Sequence, residues 1–170
     1  MNMDATLFRS VMGRFATGVT VITFLVDEKA AGMTANAFMS VSLEPTLVLT
    51  SIRSQSRVNR FVQQGARFGV NVLAESQLDL CRHFSGRTIK DRDVPFIFEQ
   101  GFPLLPGSLA HLGVRTVDVH PAGDHVLYVC EVEYVKLGEH RKPLVFFGGN
   151  FRQVHAHTPV INWTTPAECS

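Results

Sequence analysis

Gly32-Met33-Thr34-Ala35-Asn36-Ala37-Phe38-Met39-Ser40-Val41-Ser42 is the stretch on which the reading of this chain turns. An ordinary half-buried strand would carry Val, Ile and Phe where this one carries Ala, Thr, Asn and Ser. Small side chains let another surface come close to the backbone, and Gly32 ahead of them permits a sharp entry. Thr34, Asn36, Ser40 and Ser42 share one parity, so a continuous strand aims all four at one face. That face is a ladder of short donors and acceptors, suited to a flat polar heterocycle with a phosphate tail. The solvent side of a sheet strand shows the same alternation, so pattern alone leaves both readings standing.

Working outward, residues 19–26 are rich in β-branched and aromatic side chains and read as a strand. Asp27-Glu28-Lys29 supplies a hairpin turn that makes the opening stretch its antiparallel partner. Pro45 breaks the pattern; residues 47–52 and 68–73 are the next two strands. Residues 112–119, a turn at Pro121-Ala122-Gly123-Asp124, residues 126–135 and residues 143–147 follow.

Asp4 can cap a helix in which Leu7, Phe8, Val11, Met12 and Phe15 recur at helical spacing, its apolar face expected to seal one side of a sheet. Ser56 is expected to cap a second helix through Val58, Phe61 and Val62, and Ser76 a short third one with Leu78, Leu80 and Cys81. Residues 86–106 read as an excursion with little regular structure, and loops that long usually serve a site or an interface. Many hairpin-linked strands with few helices predict a mainly β protein, a closed antiparallel barrel with a few packed α-helices.

At 170 residues with no internal repeat or linker, the chain is expected to form one domain, residues 1–170, with a core of about 7–154 and a polar tail at 155–170. Only 18% of residues are charged, below the usual quarter, which suggests that another subunit covers some surface or that the core is large. The net charge of +1 supplies no field for nucleic acid or an anionic membrane. Cys81, Cys130 and Cys169 form no C-x-x-C pair, which points to a reducing compartment and no structural zinc. No basic leader with an apolar run and no apolar span of about 20 residues is present, so a cytoplasmic location is expected.

The dinucleotide-binding glycine fingerprint, the Walker lysine motif, the G-x-S-x-G elbow and H-E-x-x-H are all absent. His155-Ala156-His157 alternates like two ligands on an extended chain but has no third partner, so no metal site is expected. His83 sits near a helix end, where its charge would complement the dipole. Gly123-Asp124-His125 is sharper: Gly123 permits a tight turn, Asp124 can bond its backbone, and His125 is presented at the mouth of a strand. An imidazole there can donate to a carboxamide or buffer a proton. Ser51, Ser54, Ser56 and Arg57, where a strand runs into a helix start, make a natural anion site.

Taken together, these blocks resemble the short-chain flavin reductases, the reductase components of two-component flavin-dependent monooxygenases. Residues 8–21 resemble the family's opening block, and Gly32 to Phe38 with Ser40-Val41-Ser42 its flavin-contacting block. Phe68-Gly69-Val70-Asn71-Val72-Leu73, the Gly123-Asp124-His125 turn and residues 143–151 follow in the family's order. The resemblance implies an FMN-binding split barrel of Greek-key type, a homodimer with flavin near the subunit interface, and hydride transfer from NADH or NADPH to FMN or FAD. Reduced flavin would then leave for a partner monooxygenase.

Carried over by position, Met33, Thr34, Ala35 and Asn36 would meet the flavin ring edge and ribityl chain. Ser51, Ile52, Ser54, Ser56 and Arg57 would lie along the tail and phosphate, with Phe84, Lys90 and Arg92 also on the flavin. His125 would orient the nicotinamide as the catalytic residue. Relatives often carry Tyr where this chain has Phe151, which keeps a stacking surface for the nicotinamide but loses a hydroxyl contact. Such chemistry needs no nucleophile or metal, because the flavin carries the electronic work. A flavin-binding electron carrier that keeps its flavin is the alternative; an oxidase of the pyridoxamine-phosphate type on a similar barrel fits the Gly123-Asp124-His125 turn less well.

Overall fold

The computed structural model describes residues 4–86 and 93–154, and in them the β-branched runs become strands. After the helix α1 (Ala5–Met12) and a short β1 (Thr17–Gly18), β2 (Thr20–Val26) and β3 (Lys29–Ala35) form a hairpin. Its turn residues Asp27 and Glu28 take positive φ of 48° and 64°, the conformation that matches strand twist in a two-residue turn. β4 (Phe38–Leu43) and β5 (Thr46–Arg53) pair around a cis Glu44-Pro45 bond. β6 (Arg67–Val72), the helix α2 (Leu78–Phe84) and a small hairpin of β7 (Ile97–Glu99) and β8 (Phe102–Leu104) follow. The long hairpin β9 (Ala110–Ala122) and β10 (His125–Leu137) comes next, then β11 (Val145–Phe147) and β12 (Asn150–Arg152).

Seven strands make one antiparallel sheet in the order β3-β2-β6-β9-β10-β5-β4, and β1-β11-β12 make a separate one. The edge strands β3 and β4 are consecutive in the chain, separated only by Asn36-Ala37. The path from Ala35 to Phe38 spans at most about 11 Å, so the sheet curls until its two edges meet at that corner. The expected closed barrel is corrected here: the chain turns a corner at Asn36-Ala37 instead of reversing, and β3 and β4 are not ladder partners.

Two cores hold this arrangement. Ile22, Phe24, Val48, Ile52, Phe68, Val70, Val114 and Tyr128 form one. Val19 and Val21, at the other end of the same β2 segment, join Leu73, Cys81, Leu105 and Leu144 in the second, which seats α2 through Cys81. β8 lies hard against β6: a Cβ on Gly69 would meet the Pro103 carbonyl oxygen and the Thr23 hydroxyl at closer than van der Waals contact. Because one neighbour is backbone, Gly69→Ala is expected to destabilise the protein by about 3 kcal/mol, lowering Tm by roughly 10 °C in a thermal melt.

Several local expectations change. Gly32 to Ser42 is not one strand: the corner at Asn36-Ala37 and a register shift between Ser40 and Ser42 break the shared face of Thr34, Asn36, Ser40 and Ser42. Gly32 lies inside β3 rather than at its entry. The helix after Ser56 is a five-residue 3-10 turn, Arg57–Phe61, and Ser76 lies within a 3-10 turn, Glu75–Gln77, ahead of α2 instead of capping it. The 86–106 excursion contains the β7–β8 hairpin. α1 seals no sheet, since none of its residues is buried and Leu7, Phe8, Val11 and Met12 are all exposed.

Candidate functional site

At the corner where the sheet edges meet, a cleft of about 560 Å³ opens, within the usual range for small-molecule sites. Its floor follows β3 and the corner, Gly32 through Ala37; β5 supplies Ser51, Ile52 and Arg53, and the turn beyond it Ser56, Arg57 and Val58. Phe84, Ser85 and Gly86 at the end of α2 close one side, and His125 stands at the far end. Small residues at Gly32 and Ala35 have the effect the sequence suggests, but the surface that comes close to Gly32 belongs to the protein. A Cβ on Gly32 would lie 3.1 Å from the Phe84 ring.

Thr34 fixes this wall, donating its hydroxyl to the Cys81 carbonyl of α2 at 2.7 Å. Across the cleft, Asn59 holds the turn after β5 by donating to the carbonyls of Arg53 and Ser54, both at 2.9 Å. The Ser56 hydroxyl accepts from Val58 N at 3.3 Å and lies 3.7 Å from the Met33 sulfur. The turn is too short to carry a helix dipole, so attraction for an anion rests on Arg53 and Arg57, which form no salt bridge among the described residues.

His125 opens β10 opposite Arg53 of β5, and the Ser54 amide binds the Asp124 carbonyl at 3.0 Å. The hairpin tip is thereby tied to the cleft. His125 Nδ1 lies 2.8 Å from Asp124 Oδ1. With Nδ1–H donated to the carboxylate, the neutral ring offers Nε2 as an acceptor, and the protonated ring offers a donor there. The hydrogen bond and charge of His125, with a smaller contribution from Arg53, hold the Asp124 carboxyl below the usual carboxylate range. Cys81 offers no reactive thiolate, since burial pushes its thiol up to about 11. Among the described residues no group of three or more His, Cys, Asp or Glu is placed to hold a metal ion.

Met33, Thr34, Ala35, Asn36, Ser51, Ile52, Ser56, Arg57, Phe84 and His125 therefore meet around one cleft. Ser54 is exposed and does not line it, acting through its backbone. Phe151 lines a neighbouring hollow of about 140 Å³ that shares Thr34 and Asn36 with the cleft, its ring meeting Phe146 at 5.5 Å. Lys90, Arg92 and His155-Ala156-His157 lie outside the described residues. Sequence reasoning missed Arg53, Ser85 and Gly86 as lining residues and Asn59 as the brace of the turn. Arg53 lies within the Ser51–Arg57 stretch read as an anion site; nothing in the sequence marked the others.

Among the described residues the lining includes two arginines, several hydroxyl and amide groups, and no Asp or Glu. That donor set fits a planar heterocycle with an anionic tail and disfavours a cationic ligand. Residues 12–155 match the model of the flavin reductase like domain. An NADH-dependent flavin reductase of a Rhodococcus species is 41% identical over 149 residues, covering 86% of this chain and 84% of the relative. The reductase component of 4-hydroxyphenylacetate 3-monooxygenase from Thermus thermophilus is 37% identical, covering 86% and 95%. The solved flavin reductase PheA2 superposes with a TM-score of 0.86 at 44% identity, covering 91% of this chain and all of that one. The chain belongs to the flavin reductase-like family.

Proposed function

We propose that this protein is an NAD(P)H:flavin oxidoreductase that supplies reduced FMN or FAD to a separate flavin-dependent monooxygenase. The observation that carries it is the cleft joining β3, the Arg53–Arg57 turn and His125, in a chain whose relatives include an NADH-dependent flavin reductase and a monooxygenase reductase component. A bound flavin supplies the electronic chemistry, accepting the hydride of the nicotinamide. The chain's own task is orientation, holding two planar rings about 3–3.5 Å apart. Thr34 and Asn36 meet the ring edge, Ser51 and Ser56 line the tail, and Arg53 and Arg57 neutralise its phosphate. His125 Nε2 holds the nicotinamide carboxamide, with Phe151 as a stacking surface.

One flavin reductase-like domain, a split-barrel topology and a homodimer belong to the same reading. The two-residue link between the sheet edges supports the split barrel. The uncovered apolar face of α1 and the exposed Met39, Val41 and Leu43 on edge strand β4 support the dimer. A reducing, cytoplasmic setting is supported by the free, buried Cys81 and Cys130.

Steady-state oxidation of NADH and NADPH with added FMN, FAD or no flavin tests the activity. Flavin-dependent turnover is expected, and its absence with both coenzymes would sink the reading. His125→Ala is expected to raise the KM for NADH roughly tenfold, the loss of one hydrogen bond, with the FMN Kd unchanged. Equal losses in both would remove His125 from the nicotinamide role.

A further inference from the structure

A hydrogen-bonded path runs from the buried core to the turn that carries Arg53 and Arg57. Tyr128 of β10 is fully buried, its ring in the core formed by Ile22, Ile52, Phe68 and Val114. A phenylalanine would fill the same space, so what the hydroxyl adds is its polar contacts. It donates to Asn59 Oδ1 at 3.1 Å, and Gln63 Nε2 donates to it at 3.4 Å. Burial pushes the phenol above its usual range, so it stays protonated and able to donate. With Oδ1 engaged, the Asn59 amide turns Nδ2 toward the Arg53 and Ser54 carbonyls. The Arg53 carbonyl also accepts from Ser56 N at 2.9 Å, and on the same peptide the Ser54 amide donates to the Asp124 carbonyl. That peptide is held on both edges. The 3-10 turn Arg57–Phe61, which carries Asn59, is itself laid on the core, with the Phe61 ring stacked on Phe24 at 5.0 Å.

We infer that Tyr128 and Asn59 are positioning residues that set the spacing of Arg53 and Arg57, and so make the cleft select flavins that carry a phosphate. The inference rests on the flavin-reductase reading and deepens it. Arg53 lies at one end of the Asn59 clamp and Arg57 at the other; both line the cleft, whereas Tyr128 and Asn59 do not. Arginine side chains are long and flexible. Two of them lose least on closing around one phosphate when their backbone anchors already stand at a fixed separation. Tyr128 and Asn59 supply that separation from the core side, without contact with the ligand.

The test titrates FMN and riboflavin by flavin fluorescence, without nicotinamide, against the full chain and its Asn59→Ala and Tyr128→Phe variants. Asn59→Ala is expected to raise the FMN Kd roughly tenfold and the riboflavin Kd less than about twofold. Tyr128→Phe keeps the ring in the core and the Asn59 bonds to the turn, so its FMN-selective loss should be smaller, about threefold. In the Asn59→Ala background the same change should add nothing, because the path is already cut. In a chain that also carries Arg53→Ala and Arg57→Ala, Asn59→Ala should leave the FMN Kd within about twofold, a coupling that mere support of the fold would not produce. Should Asn59→Ala fold poorly, Tyr128→Phe carries the same comparison. Equal weakening of FMN and riboflavin, no change in either, or an FMN-selective loss that persists without the arginines would overturn the inference. Every arm reads binding without turnover, so the outcome is separate from whether the wild-type protein oxidises NADH.

Discussion

Replacing Arg53 and Arg57 together with alanine is expected to raise the FMN Kd about a hundredfold while changing riboflavin binding by no more than about twofold. Both side chains line the cleft and neither forms a salt bridge among the described residues. A phosphate there would receive two charge-assisted contacts, each strong for a hydrogen bond though weakened by exposure. The turn that presents them is held by groups the substitutions leave alone: Asn59 on the Arg53 and Ser54 carbonyls, and the Ser56 hydroxyl on Val58 N. The variant should therefore keep its melting temperature. Riboflavin has the same ring system without the phosphate, so it separates loss of charge from collapse of the cleft. Equal weakening of the two ligands would show that the arginines shape the floor rather than bind the tail. Raising salt should weaken FMN binding to the wild-type protein and have much less effect on the variant.

What could be read from the sequence follows how local each cause is. The Asp27-Glu28 turn and the Gly123-Asp124-His125 tip were legible because turn chemistry is written in adjacent residues. The strands were legible from β-branched runs. Sheet order was not, because β2 pairing with β6 and β6 with β9 are choices between distant segments. The same holds within the site. The residue types at Thr34, Asn36, Ser51 and Arg57 suggested a nucleotide surface, but the parity argument assumed a continuous strand, and the corner at Asn36-Ala37 removed it. Nothing local foretold that the Thr34 hydroxyl would tie down α2 through Cys81, or that Asn59 would brace the opposite wall. Arg53 enters the cleft because β5 runs beside His125 in register, a consequence of long-range pairing.

Substituting Phe8→Asp and Val11→Asp together is expected to turn the proposed dimer, twice 18.8 kDa, into a monomer by light scattering after gel filtration. α1 has eight residues, too few to stay helical in water unaided. Within the chain its visible local support is the Asp4 cap, which accepts from Thr6 N at 2.8 Å, and none of its residues is buried. Yet Leu7, Phe8, Val11 and Met12, between 51% and 58% exposed, fall on one arc of the helix, roughly 140° wide at 100° per residue. The helical spacing was read correctly from sequence, but within this chain the face it forms seals no sheet. A second subunit that covers this face would gain about 1.5–3 kcal/mol for each large side chain fully buried. Two carboxylates placed there, facing their symmetry mates or an apolar partner surface, would reverse much of that gain. The monomer should remain folded, because the substituted side chains touch neither buried core. A wild-type chain that runs as a monomer at micromolar concentration, or a variant that stays dimeric, would place the subunit contact elsewhere, with the exposed Met39, Val41 and Leu43 of β4 the next surface to charge.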